Sequence, residues 1–128
     1  MTNKYFTIAE LCRTNTALNN TPPPGVKIKL ATLIERVLNP LREQYGKPII
    51  VNSGYRSHSV NKAVGGGSTS QHLKGEASDI TTGSKQGNKV LFELLKNMDI
   101  DQCINEKNYS WIHVSYRSEG NRNQYFNL

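Results

Sequence analysis

The sequence predicts an α+β domain, a small and mostly antiparallel sheet flanked by helices. Three observations carry that prediction. Apolar residues recur at helical spacing between Val26 and Tyr45. A second helical pattern fills Lys85 to Met98. Two short strand patterns follow, Asp101 to Glu106 and Ser110 to Tyr116, joined only by Lys107-Asn108-Tyr109, which is hairpin spacing.

Taken in order, Thr7-Ile8-Ala9-Glu10 has the form of a capping box, in which the Thr7 hydroxyl and the Glu10 carboxylate satisfy each other's backbone N–H. It opens a short helix running to about Cys12 or Arg13. Asn15 to Gly25 contains Pro22-Pro23-Pro24, which cannot donate backbone hydrogen bonds, and reads as an ordered surface loop. A linker is the weaker alternative, because too few residues precede it to form a domain. In the long helix, Leu30, Leu33, Ile34, Val37, Leu38 and Leu41 make one apolar face. Pro40 should bend or break that helix, and Gly46 should stop it. Pro48 to Asn52 reads as a strand, and a short helix is expected near Ser59 to Val64. Gly65-Gly66-Gly67-Ser68-Thr69-Ser70 is a loop leading to a strand at Ala77 to Thr81. The next helix would bury Val90, Leu91, Leu94 and Leu95. The polar tail from Arg117, with its aromatic punctuation, can add an edge strand.

A chain of 128 residues suits a single domain spanning 1–128 with its own core. Sixteen Lys and Arg against ten Asp and Glu give a net charge of +6, which favours anionic partners. The basic residues are scattered, so charge alone speaks for nucleic acid, and no nucleic-acid partner is expected. No apolar run approaches the roughly 18–20 residues of a membrane span, so no membrane insertion is expected. The first ten residues lack the apolar segment of a secretory signal. The expectation is a monomer synthesised in the cytoplasm and delivered by other means to any substrate outside it. Cys12 and Cys103 fit no C-x-x-C pattern and read as two buried thiols, with one disulfide as the alternative.

Chemistry concentrates in Ser70-Gln71-His72-Leu73-Lys74-Gly75-Glu76-Ala77-Ser78-Asp79, with a further histidine in Trp111-Ile112-His113-Val114-Ser115. Strand alternation puts Trp111, His113 and Ser115 on one face and the aliphatic Ile112 and Val114 on the other. A catalytic zinc wants about three protein donors and one open position. His72, Asp79 and His113 are of the right types. By spacing alone, Asp79 could equally cap the turn at Thr81-Thr82-Gly83, and each histidine could be an ordinary hydrogen-bonded residue.

These blocks, together with Ser53-Gly54-Tyr55-Arg56-Ser57, resemble the zinc D-Ala-D-Ala carboxypeptidase family. That family includes the vancomycin-resistance dipeptidases and the L-alanyl-D-glutamate endopeptidases of phage endolysins. Ser70, His72, Gly75, Ala77 and Asp79 match every fixed position of its S-x-H-x-x-G-x-A-x-D signature. The resemblance runs from about Ala31 to Arg117. It implies the small fold shared with hedgehog signalling domains, one zinc held by His72, Asp79 and His113, and hydrolysis of amide bonds in peptidoglycan stem peptides by a zinc-activated water. It implies that Arg56 polarises the carbonyl or grips the substrate, and that Ser70 and Gln71 contact the substrate. Family members usually carry an acidic residue three positions before the last histidine, where this chain has Ser110. Glu106, at the end of the preceding strand, is the best substitute as general acid/base, with Glu76 as the other candidate. A cell-wall-binding module of the same fold, its catalysis weakened at Ser110, is the alternative function.

Overall fold

The computed structural model describes residues 5–128. Its elements, in order, are α1 (Ile8–Leu11), α2 (Pro24–Leu33), a π turn (Ile34–Leu38), α3 (Asn39–Tyr45), β1 (Ile50–Ser53), α4 (His58–Ala63), a 3-10 turn (Gln71–Lys74), β2 (Ala77–Thr81), α5 (Lys85–Leu95), β3 (Gln102–Glu106), β4 (Trp111–Ser115) and β5 (Gln124–Asn127). The five strands form one sheet in the order β1-β2-β4-β3-β5. All neighbours are antiparallel except β3 and β5, which run parallel.

Local chemistry explains most boundaries. The capping box forms as expected, with Glu10 N–H donating to Thr7 Oγ1 at 3.1 Å and Thr7 N–H to Glu10 Oε1 at 3.4 Å. Pro24 opens α2 at a position where a missing N–H costs nothing. Pro40 neither breaks nor ends the long helix. The turn before it widens instead, so that Asn39 N–H reaches the Ile34 carbonyl, and the helix resumes as α3. Leu30, Leu33, Ile34, Val37, Leu38 and Leu41 are all fully buried along this helix. Gly46 ends it in the left-handed conformation.

The helices α2, α3 and α5 cover one face of the sheet, to which Val51, Ile80, Ile112, Val114 and Cys103 contribute. One expectation for α5 fails. Leu91 and Leu95 are buried, but Val90 is 42% exposed, and the buried stripe runs through Gly87, Asn88 and Phe92 instead. The helix is rotated to seat the polar Asn88 against the β3–β4 loop, which an apolar pattern cannot reveal. Both thiols are free, Cys103 buried and Cys12 half-buried. Burial pushes the Cys103 thiol up to about 12, so it is inert near neutrality.

Asp101, just before β3, is buried and held by Arg122, whose Nε and Nη2 donate to its two oxygens at 2.9 and 2.8 Å. Gln71 Nε2 adds a third side-chain bond at 3.0 Å. The Arg122 hydrogen bonds outweigh burial and bring the Asp101 carboxyl down to about 2. A carboxyl lowered on folding stabilises the native state above its unfolded pKa of about 4, and that contribution is lost as pH falls from there toward the folded value. Acid unfolding of the native protein is therefore expected to draw on Asp101 between about pH 4 and 2, for on the order of 2 kcal/mol. Urea titrations across that window should show a shallower loss of stability in Asp101→Asn.

Candidate metal centre

The other face of the sheet carries the chemistry. Asp79 on β2 pairs with His113 on β4, and His113 pairs with Ile104 on β3. Directly paired residues share a face, so Asp79 and His113 stand side by side, away from the helices. His72 arrives from the 3-10 turn just before β2. Ser70 caps that turn by accepting from His72 N–H at 3.2 Å, and Gly75 closes it in the left-handed conformation at φ 74°.

The ring of His72 is fixed by its far nitrogen, since Nδ1 lies 2.7 Å from the Gly54 carbonyl oxygen. An N–H there leaves Nε2 with a lone pair facing the site. Gly54 must be glycine for this arrangement, because a Cβ would run into the backbone of Leu11. Nε2 of His72 lies 3.4 Å from Asp79 Oδ1, and His113 Nδ1 lies 2.9 Å from the same oxygen. One donor atom from each of the three residues lies within 4.8 Å of the other two. Donors on a tetrahedral zinc with bonds of about 2.0–2.1 Å sit roughly 3.3 Å apart. The separations and the N/O donor types therefore fit one divalent ion. Burial works against the charged Asp79, but hydrogen bonds from His113 and His72 and their charge hold its carboxyl well below the usual range. A ligand in the deprotonated state is what a metal requires.

Arg56 stands behind the carboxylate. Its Nη2 donates to Asp79 Oδ2 at 3.3 Å, its Nε to Ser53 Oγ at 3.0 Å, and its Nη1 to Asn61 Oδ1 at 3.4 Å. Arg56 N–H also donates to the His72 carbonyl at 3.0 Å, which ties the two sequence blocks together. Ser70, through its cap, and Gln71 both serve the loop that carries His72. Gln71 Nε2 bonds Asp101 and, at 3.4 Å, Glu76 Oε1, so the structure engages its amide with carboxylates of the chain. That placement ties Gln71 to the loop that carries His72.

Glu106 pairs with Trp111 and lies two residues along from the position opposite His113, on the same face. Such a diagonal neighbour has its Cβ roughly 7–8 Å away, within reach of a glutamate. It makes no ion pair or side-chain hydrogen bond among the described residues. Glu76, by contrast, is held by Lys29 Nζ at 3.1 Å and by Gln71. Ser110 is exposed at the loop and donates its hydroxyl to the Lys107 carbonyl. His58 is exposed and does not join the group of three donors.

Asn88 and Asn105, which no sequence pattern singles out, organise the loop between β3 and β4. The loop after Glu106 has three consecutive residues in the left-handed region, Lys107, Asn108 and Tyr109, at φ 47°, 55° and 62°. Asn105 Oδ1 accepts from Tyr109 N–H to hold that turn. Buried Asn88 donates to the Tyr109 and Ser110 carbonyls and accepts from Thr82 N–H at 2.8 Å, joining the loop to the end of β2. Asn88→Ala orphans those backbone groups and is expected to destabilise the fold by about 2–3 kcal/mol in chemical denaturation. Runs of non-glycine residues at positive φ were the missing signal, and sequence gives no sign of them.

A sheet face that gathers two imidazoles and one carboxylate, with a guanidinium behind the carboxylate, defines a mononuclear metal-site domain. Residues 4–115 match the profile of the Peptidase M15 family. Over 106 residues the chain is 37% identical to a zinc D-Ala-D-Ala carboxypeptidase of Streptomyces albus G, a match covering 77% of this chain. The chain belongs to the Peptidase M15 family. It spans 39% of the length of that relative.

Proposed function

We propose that this protein is a zinc metallopeptidase that hydrolyses amide bonds in peptidoglycan stem peptides. The observation that carries this reading is the convergence of His72 Nε2, Asp79 Oδ1 and His113 Nδ1 on one point. The name of the Streptomyces relative supports both the metal and a D-Ala-D-Ala peptide as the substrate class. Zinc bound by these three residues supplies a water of pKa near 7 and a Lewis acid for the scissile carbonyl.

The chain's own residues divide the remaining work. Glu106, unpaired on the site face, takes the proton from the attacking water and passes it to the leaving amine. Arg56 fixes Asp79 through Oδ2, which turns Oδ1 toward the imidazoles, and its fork can also polarise the substrate carbonyl. The Gly54 carbonyl holds the His72 tautomer. Ser70, which caps the turn that carries His72, is assigned to contact bound peptide. The acidic group absent at Ser110 is thus supplied from the partner strand by Glu106, which favours an enzyme over a binding module of the same fold.

The test is incubation of the zinc-loaded protein with purified stem peptides, read by mass spectrometry. Products cut at one amide bond, abolished by a chelator and restored by zinc, are expected. An intact peptide pool from a protein that retains its zinc would contradict the assignment and favour the binding module. Loss of terminal D-Ala would indicate a carboxypeptidase, and an L-Ala–D-Glu cut an endopeptidase.

A further inference from the structure

We infer that the cleft between the turn at residues 13–16 and the outer edge of β1 takes an anionic residue of the peptide substrate, with Arg13 as the cation that selects it. This rests on the peptidase reading above and names the chemistry of one subsite. Two hollows of about 160 and 290 Å³ share Arg13, Thr14, Asn15 and Asn52, and so form one continuous cleft. One end opens on Ser53 and Arg56, the same Arg56 that holds Asp79. The cleft therefore reaches the arginine that stands behind the metal-site carboxylate.

Its wall offers backbone as well as charge. β1 is the end strand of the sheet, and among the described residues no backbone group pairs with Ile50–Ser53 from the outer side. A free strand edge presents the N–H and C=O groups on which an extended peptide can lie. The opposite wall is held in place by Tyr55 N–H donating to the Leu11 carbonyl at 2.7 Å and by Thr16 N–H donating to Thr14 Oγ1 at 3.1 Å.

Charge decides the occupant. Arg56 is partly neutralised by Asp79, but Arg13 is exposed and makes no ion pair or side-chain hydrogen bond among the described residues. No Asp or Glu lines either hollow. A cleft with an uncompensated guanidinium is complementary to a carboxylate, which Arg can grip through two bonds. A peptide lying along β1 would place the side-chain carboxylate of an acidic residue there.

The experiment uses a synthetic stem peptide in two forms, its glutamyl carboxylate free or converted to the primary amide. Calorimetric binding to the zinc-loaded protein and steady-state cleavage are both measured, for native protein and for Arg13→Gln. Native protein is expected to favour the free acid by at least about tenfold, the scale of a charged hydrogen bond. Arg13→Gln should bring that ratio close to one through KM, leaving kcat on the amide and zinc content unchanged. Equal binding of acid and amide by native protein, or a preference that survives Arg13→Gln, would overturn the inference. Discrimination in binding without any cleavage would uphold the cleft and contradict the peptidase reading.

Discussion

Glu106→Gln is expected to lower kcat on stem peptide by about 10²–10⁴-fold while the protein keeps one zinc per chain. Glutamine preserves the size and hydrogen-bonding reach of the side chain, so the hairpin should fold unchanged, and only the ability to accept a proton is lost. Glu76→Gln is the control. Glu76 is already held by Lys29 and Gln71, so its neutralisation should cost activity little beyond a slight loosening of the loop. Kinetics and metal analysis on the two variants separate them. If Glu76→Gln were the inactive one, the proton-transfer role would belong to the central loop.

His113→Ala is expected to remove the metal and with it the activity. Two donors remain, His72 and Asp79, and a structural or catalytic zinc is rarely held by two. The same variant separates metal binding from folding, because β4 keeps its aliphatic face, Ile112 and Val114, in the core. Zinc in excess should raise the unfolding free energy of native protein, by about 4 kcal/mol at a thousandfold over its dissociation constant. His113→Ala should show almost none of that rise. Unfolding curves with and without zinc check it. A zinc-dependent rise preserved in His113→Ala would place the ion elsewhere.

The legible parts of this fold were those written as periodicity or as local capping. Thr7 and Glu10, the apolar face from Leu30 to Leu41, the stop at Gly46 and the alternation around His113 are short-range patterns, and the structure realises each of them. Pro40 predicts a bend or a break, but a widened turn upstream absorbs its missing N–H, a solution that depends on packing rather than on any one residue. The three metal-site donors were separable from ordinary histidines and a turn-capping aspartate only by the signature around them, since spacing does not tell which strands become neighbours. What sequence could not show is the polar scaffold. Asn88, Asn105, Asn20 and Asp101 are buried asparagines and an aspartate whose value lies in contacts 4 to 37 positions away. Asn20, for example, donates to the Tyr55 carbonyl and accepts from Ser57 N–H, and so pins the proline-rich loop to the block that carries Arg56. Such residues look like surface polarity until the chain is folded.

The most direct test is elemental analysis of protein dialysed against zinc and then against metal-free buffer, for the native chain and for single alanine variants of His72, Asp79 and His113. One zinc per native chain, and essentially none in any of the three variants, is the predicted result. Native protein that retains no zinc, or variants that retain it in full, would show that these side chains do not share an ion.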